Sequence, residues 1–297
     1  MRIANVRGRA AIVVGESFVD ICSATDGRFG PDPQSLFAAW DAFRTWAAGR
    51  TFTTVSPLDR STLGPPVPAP RQVFAIGLNY HGHAVEAGFG IPAAPPVFTK
   101  FPTCLTGPYA QVELPTRSVD FEVELVVVIG RHAQAVGAAD AWRHVAGLTV
   151  GQDLSERVSQ LAGPVPQFSL AKSYAGFGPI GPVVTTVDEF VNPDDLEIGC
   201  TINGEVMQAA RTSDLIFSVP TLIARLSAVC PLLPGDLIFT GTPAGVGAGH
   251  KPPRFLRPSD VLSSSVEGIG DLRTTFTAGA AYERAAEADL RVPSAVK

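Results

Sequence analysis

The chain has 297 residues, with 28 acidic and 23 basic side chains and a formal net charge of −5. Charged residues make up 17% and hydrophobic residues 45%, which excludes disorder and allows a large core. Mild acidity argues against a nucleic-acid partner, and 29 glycines with 26 prolines imply many turns and short elements.

The N-terminal apolar run Ala10–Val14 is too short for a signal-peptide core, and nothing approaches the ~18 apolar residues of a membrane span. A soluble cytoplasmic protein is expected. AAIVV (10–14) and SFVDIC (17–22) read as a hairpin, and SLFAAWDAFRTWAAG (35–49) as a helix whose tryptophans are core anchors. The Pro-rich LGPPVPAPRQ (63–72) reads as an extended linker. Residues 1–70 are thus expected to form a small N-terminal domain with its linker, 71–280 the main domain, and 281–297 a tail.

Beyond the linker, strands are read at 72–80, 95–101, 120–130, 146–154, 181–187, 196–204 and 235–241. Helical periodicity appears at AADAWRHVAG (138–147), at SVPTLIARLSAVC (218–230) and in a short turn at HGHAVEAG. Many short strands without βαβ alternation favour an α+β fold over a Rossmann or TIM architecture. The four cysteines lie far apart, without a CxxC pair, which excludes a disulfide scaffold or zinc ribbon. Only four lysines are present: Lys100, Lys172, Lys251 and Lys297.

The strongest local feature is Asp120-Phe-Glu122-Val-Glu124, leading into a continuously apolar Leu125–Ile129. Alternate strand residues share a face, so Glu122 and Glu124 project together. Carboxylates entering a strand buried on both faces need a cation between them, and hard oxygen ligands suit Mg²⁺, Mn²⁺ or Ca²⁺. Asp153, after a second apolar run, would complete a triad; a helix cap is the plainer role for it.

His83 and Glu86 share a face at i,i+3, the arrangement of a general base and its orienting carboxylate, and also of an ordinary surface ion pair. Lys172 sits in a small-residue, aromatic loop (169–182) and could anchor a substrate carboxylate. The glycine-rich PGDLIFTGTPAGVGAG (234–249) is neither a Walker loop nor a GxGxxG, though its amides could cradle an anion.

In order and spacing, these segments resemble the fumarylacetoacetate hydrolase superfamily. GLNYHGHAVE is similar to that family's GxNYxxHxxE, DFEVELVVVIG to its E-x-E metal strand, and GQDLSERVSQ to its NDxSARDxQ. SLAKSYAGFGPIGP, INGEVMQAARTSDLIFSVPTLIARLS and LLPGDLIFTGTPAGVG extend the likeness over about residues 71–277. The sequence departs from the family pattern at Gln152-Asp153, at Glu156-Arg157-Val158 and at Pro258-Ser259-Asp260.

The resemblance implies a mixed β-sandwich roll and a homodimer. It implies Mg²⁺ or Mn²⁺ on Glu122, Glu124 and Asp153, and a His83–Glu86 dyad ordered by lid closure. Lys172, Arg157, Gln160 and Thr242 would lie near a small-molecule oxo-acid substrate. The expected activity is C–C hydrolysis of an acylpyruvate-like 2,4-dioxo acid. Isomerisation of 2-hydroxy-dienedioates or decarboxylation of oxo-diacids at the same site is the alternative, and a non-catalytic ligand-binding protein a more distant one.

Overall fold

The computed structural model describes residues 1–88 and 90–284; most of the segment read as a tail lies outside them. Strands β1 (Arg2–Val6), β2 (Arg9–Val14) and β3 (Ser17–Asp20) form an antiparallel meander. Helices α1 (Pro33–Ala38) and α2 (Trp40–Ala47) follow. One continuous helix was expected here, but the backbone leaves helical geometry at Ala39 (φ −109°, ψ 22°). In an unbroken helix Phe37 would flank the Leu36–Trp40–Phe43 stripe. The break turns it inward, so that Phe37 is buried and stacks on Trp40 with ring centroids 5.7 Å apart.

Strand β4 (Val73–Ile76), helix α3 (His81–Glu86), β5 (Val97–Thr99), β6 (Gln111–Leu114), β7 (Val123–Ile129) and β8 (Val145–Gln152) come next. The helix expected over 138–147 is a 3₁₀ helix at Ala138–His144. Val145 and Ala146 belong to β8, where pairing with β7 and burial override their helical spacing. Short helices α4 (Arg157–Leu161) and α5 (Phe168–Ala171) lead to β9 (Gly178–Thr185). Then come β10 (Glu197–Ile202), β11 (Glu205–Arg211), α6 (Val219–Ser227), β12 (Leu237–Phe239), β13 (Val261–Val266) and β14 (Gly270–Ala278).

The larger mixed sheet runs β3-β2-β1-β9-β8-β7-β12-β4-β5, and a five-stranded sheet runs β11-β10-β13-β14-β6. The fold is therefore a two-sheet α+β roll rather than a closed barrel. The N-terminal hairpin belongs to the main sheet, because β1 pairs antiparallel with β9 at Arg2↔Thr185 and Ile3↔Val184. The Pro-rich stretch is extended but packed: Leu63–Gly64 pairs with β1 and Val67 is fully buried.

Strand β7 divides the interior. Leu125, Val127 and Ile129 enter the core shared with the second sheet. Val126 and Val128 enter a second core, with Ile3, Leu36, Trp40 and Phe43 from the N-terminal region. A strand buried on both faces accounts for the unbroken apolar run. No helix among the described residues is long and apolar enough to cross a membrane.

Candidate active site

Strand register brings the acids together. β7 pairs with β8 at Val123↔Gln152 and Glu124↔Gly151, and the ladder continues as Asp153 N–H donates to the Glu122 carbonyl at 2.9 Å. Glu122 and Asp153 are thus opposite one another, and Glu124 shares the Glu122 face two residues on. Opposite Glu124 only glycine fits: a Cβ on Gly151 would lie 2.5 Å from Val126 and 2.7 Å from Phe239. Carboxylate oxygens of buried Glu122, Glu124 and Asp153 all lie within 4.8 Å of one another.

Three cations surround them. Lys172 Nζ donates to Glu122 Oε2 (2.7 Å), Asp153 Oδ2 (2.8 Å) and Ser155 Oγ (2.6 Å). All three of its N–H bonds are therefore engaged by the protein, rather than held open for a substrate carboxylate. Arg157 bridges Asp120 Oδ2 (Nε, 2.8 Å), Glu122 Oε1 (Nη2, 2.7 Å) and Gln160 Oε1 (Nη1, 2.9 Å). Lys100 Nζ donates to Asp153 Oδ1 at 2.6 Å and to the carbonyls of Lys172 and Phe177. Asp120 also accepts from the amides of Gly247 (2.7 Å) and Ala248 (3.0 Å).

Four carboxylates, Asp120, Glu122, Glu124 and Asp153, thus face three cations, Lys100, Lys172 and Arg157. Burial opposes the charge on Glu122, but Lys172, Arg157 and His83 more than offset it and hold the carboxyl below its ordinary value. Glu124 is the uncompensated acid. Burial first, then the charges of Asp153 and Glu122, push it well above its ordinary value, against Lys172 and a 2.7 Å hydrogen bond from the Gly241 amide. An all-oxygen donor set with one negative charge in excess fits a hard dication such as Mg²⁺ or Mn²⁺.

The dyad lies on α3, where His83 Nδ1 and Glu86 Oε2 are 2.9 Å apart. The Gly245 amide donates to Glu86 Oε1 at 2.9 Å, tying the helix to the glycine-rich loop. Burial raises Glu86, but the bonds from His83 and Gly245 outweigh it, leaving the carboxyl below its usual value. Thr242, expected near substrate, is buried, donating to the Val123 carbonyl and accepting from Gln208. Gln208 Oε1 in turn accepts from Val123 N–H at 3.0 Å, bracing the acid strand from the second sheet.

The departures from the family pattern resolve into local structure. Glu156 caps α4 through the amides of Val158 and Ser159, and Val158 is 68% exposed. Gln152 accepts from Glu122 N–H and donates to Ser264. Ser259 takes a left-handed φ of +72° in the turn. The principal residue missed from the sequence is Lys100, whose partner lies 53 positions away; its being one of four lysines was the only signal. Asp120, at the start of the acid strand, anchors Arg157, a role that its place in the sequence does not signal.

Residues 72–277 match the family model described as fumarylacetoacetate (FAA) hydrolase C-terminal. The oxaloacetate tautomerase FAHD2A, mitochondrial, of Homo sapiens is 41% identical over 218 residues, 73% of this chain and 69% of that protein. A candidate HpcE protein from Mycobacterium smegmatis superposes with TM-score 0.90 at 54% identity, covering 94% of this chain and 100% of that one. Maleylpyruvate hydrolase from Sphingobium, solved with manganese(II) and pyruvate, gives 0.78 at 29% identity, covering 94% and 100%. A 2-hydroxyhepta-2,4-diene-1,7-dioate isomerase from Mycobacterium marinum gives 0.73 at 30%, covering 94% and 99%. With that extent of match and a buried acid triad beside a His–Glu dyad, the chain is an enzyme belonging to the fumarylacetoacetate hydrolase family.

Proposed function

We propose that the protein is a divalent-cation-dependent hydrolase that cleaves the C–C bond of an acylpyruvate-like 2,4-dioxo acid. The observation that carries this reading is the conjunction of the Glu122–Glu124–Asp153 triad with the hydrogen-bonded His83–Glu86 dyad. Mg²⁺ or Mn²⁺ held by the triad would polarise the oxo-acid oxygens and stabilise the charge that develops on them.

The chain's own residues supply the rest. Glu86, fixed by the Gly245 amide, holds His83 by Nδ1 and leaves Nε2 as the basic nitrogen. His83 takes a proton from the water that attacks the distal carbonyl, and returns one to the carbon released as the C–C bond breaks. Lys172 and Arg157 hold Glu122 in place, and Gln160 in turn holds Arg157. Replacing Glu122 with Ala should abolish both Mn²⁺ binding and pyruvate release; turnover retained by that variant after chelation would overturn the mechanism.

A second reading uses the same residues without water attack, moving only a proton or releasing CO₂. Its support is the 41% identity to an oxaloacetate tautomerase. Acylpyruvates, oxaloacetate and hydroxymuconate-type acids, assayed in parallel with Mg²⁺ and Mn²⁺, separate pyruvate release from ketonisation and from decarboxylation. The functional unit is read as a homodimer, and light scattering should give twice the 31.1 kDa chain mass; a monomeric mass would reject it.

A further inference from the structure

Large apolar side chains that reach solvent are not scattered over this surface. Of fourteen among the described residues, nine lie in the stretches 85–101 and 158–174, including Val85, Ile91, Val97, Val158, Leu161 and Leu170. The stretches are joined: Thr99 N–H donates to Ser169 Oγ at 3.3 Å, and Phe101 N–H to Ser173 Oγ at 3.0 Å. Phe98 and Phe168 meet edge to face with ring centroids 5.5 Å apart. The Phe98 ring also lies 5.4 Å from Lys172 Nζ, the ammonium bonded to Glu122 and Asp153.

Phe98 and Phe168 therefore form an apolar wall beside the acid cluster, within two joined stretches whose other large apolar side chains reach solvent. The cations at its inner end are already engaged. Lys172 and Lys100 each make three hydrogen bonds to protein oxygens, and Arg157 is divided among Asp120, Glu122 and Gln160. A carboxylate laid along this wall would lose hydration against phenyl rings without gaining one of these partners.

We propose that the substrate is a 2,4-dioxo monoacid whose arm beyond the distal carbonyl is uncharged and hydrophobic, an alkyl or aryl group seated on Phe98 and Phe168. The inference rests on the acylpyruvate reading and adds to it the chemistry of the arm. The substrate differs in this from the dienedioate in the name of the isomerase relative.

The test is calorimetric and independent of turnover. The full chain loaded with Mn²⁺ is titrated with N-butyloxamate and with N-(3-carboxypropyl)oxamate, which share the chelating head and chain length and differ only at the tip. The butyl compound should bind about tenfold more tightly. Phe168→Ala should narrow the ratio below about threefold with Mn²⁺ affinity unchanged. Leu170→Gln, at a position 71% exposed, should narrow it in the same direction with the melting temperature unchanged. Equal or tighter binding of the carboxylated compound overturns the inference, as does a ratio unmoved by both variants. Preference for butyl without hydrolysis of pentanoylpyruvate rejects the hydrolytic reading and sustains the apolar arm. Binding of neither oxamate to the Mn²⁺-loaded protein rejects both.

Discussion

Lys100→Met removes a buried ammonium while keeping the shape of the side chain, so its effect isolates the charge. The side chains of Lys100 and Asp153 are both fully buried, 2.6 Å apart. The substitution leaves Asp153 Oδ1 and the carbonyls of Lys172 and Phe177 without that donor. Breaking a buried pair from one side costs about 3–5 kcal/mol. Because Lys172 still holds Asp153 Oδ2 at 2.8 Å, the loss should fall at the lower end, about 3 kcal/mol. Urea unfolding at pH 7 in EDTA, followed by tryptophan fluorescence, measures it. Asp153→Asn in the Lys100→Met background should cost less than in the parent, with a coupling of about 2 kcal/mol. Mn²⁺ should stabilise Lys100→Met more than the parent, since added positive charge replaces what was removed. A loss under about 1 kcal/mol with no coupling would refute the charge balance assigned to the cluster.

Three other outcomes follow from the site. Glu124 is held above its ordinary value, so its contribution to stability is complete below the unfolded carboxyl range and is lost as pH rises through the folded value. In EDTA, stability should therefore decline across that rise in the parent and not in Glu124→Gln; parallel pH curves would reject the assignment. His83→Ala should lower turnover about 10²–10⁴-fold while leaving Mn²⁺ affinity unchanged, and an unaltered kcat would remove His83 from the mechanism. Gly245 has φ +103°, and a Cβ there would lie 2.1 Å from the Met207 carbonyl. Gly245→Ala should cost about 3 kcal/mol and lower kcat by displacing the amide that holds Glu86, both checked by denaturation and initial rates.

The acid strand was legible because its signal is local. Two glutamates at period two, running into five apolar residues, describe a strand whose polar end sits at a buried site, and the pairing with Asp153 needed only a second apolar run. His83 and Glu86 were legible for the same reason, lying within one helical turn. Lys100, Gln208 and Asp120 were not, since each acts on a partner brought near by sheet register or loop packing from 37 to 127 positions away. The break at Ala39 was equally hidden. It answers to the face of a sheet built partly from Ile180 and Val184, which no periodicity within residues 35–49 encodes.

The union of β1 with β9 also limits where the chain can be cut. The family match begins at residue 72, an inviting start for a minimal fragment. Such a truncation would strip β9 of its neighbour, leaving an open row of amides and carbonyls at Val184 and Thr185. It would also uncover the flank that Leu36, Trp40 and Phe43 now shelter. Bare edges of this kind recruit other chains. Residues 1–6 serve as a guard strand, and the excised remainder should self-associate rather than behave as a smaller enzyme.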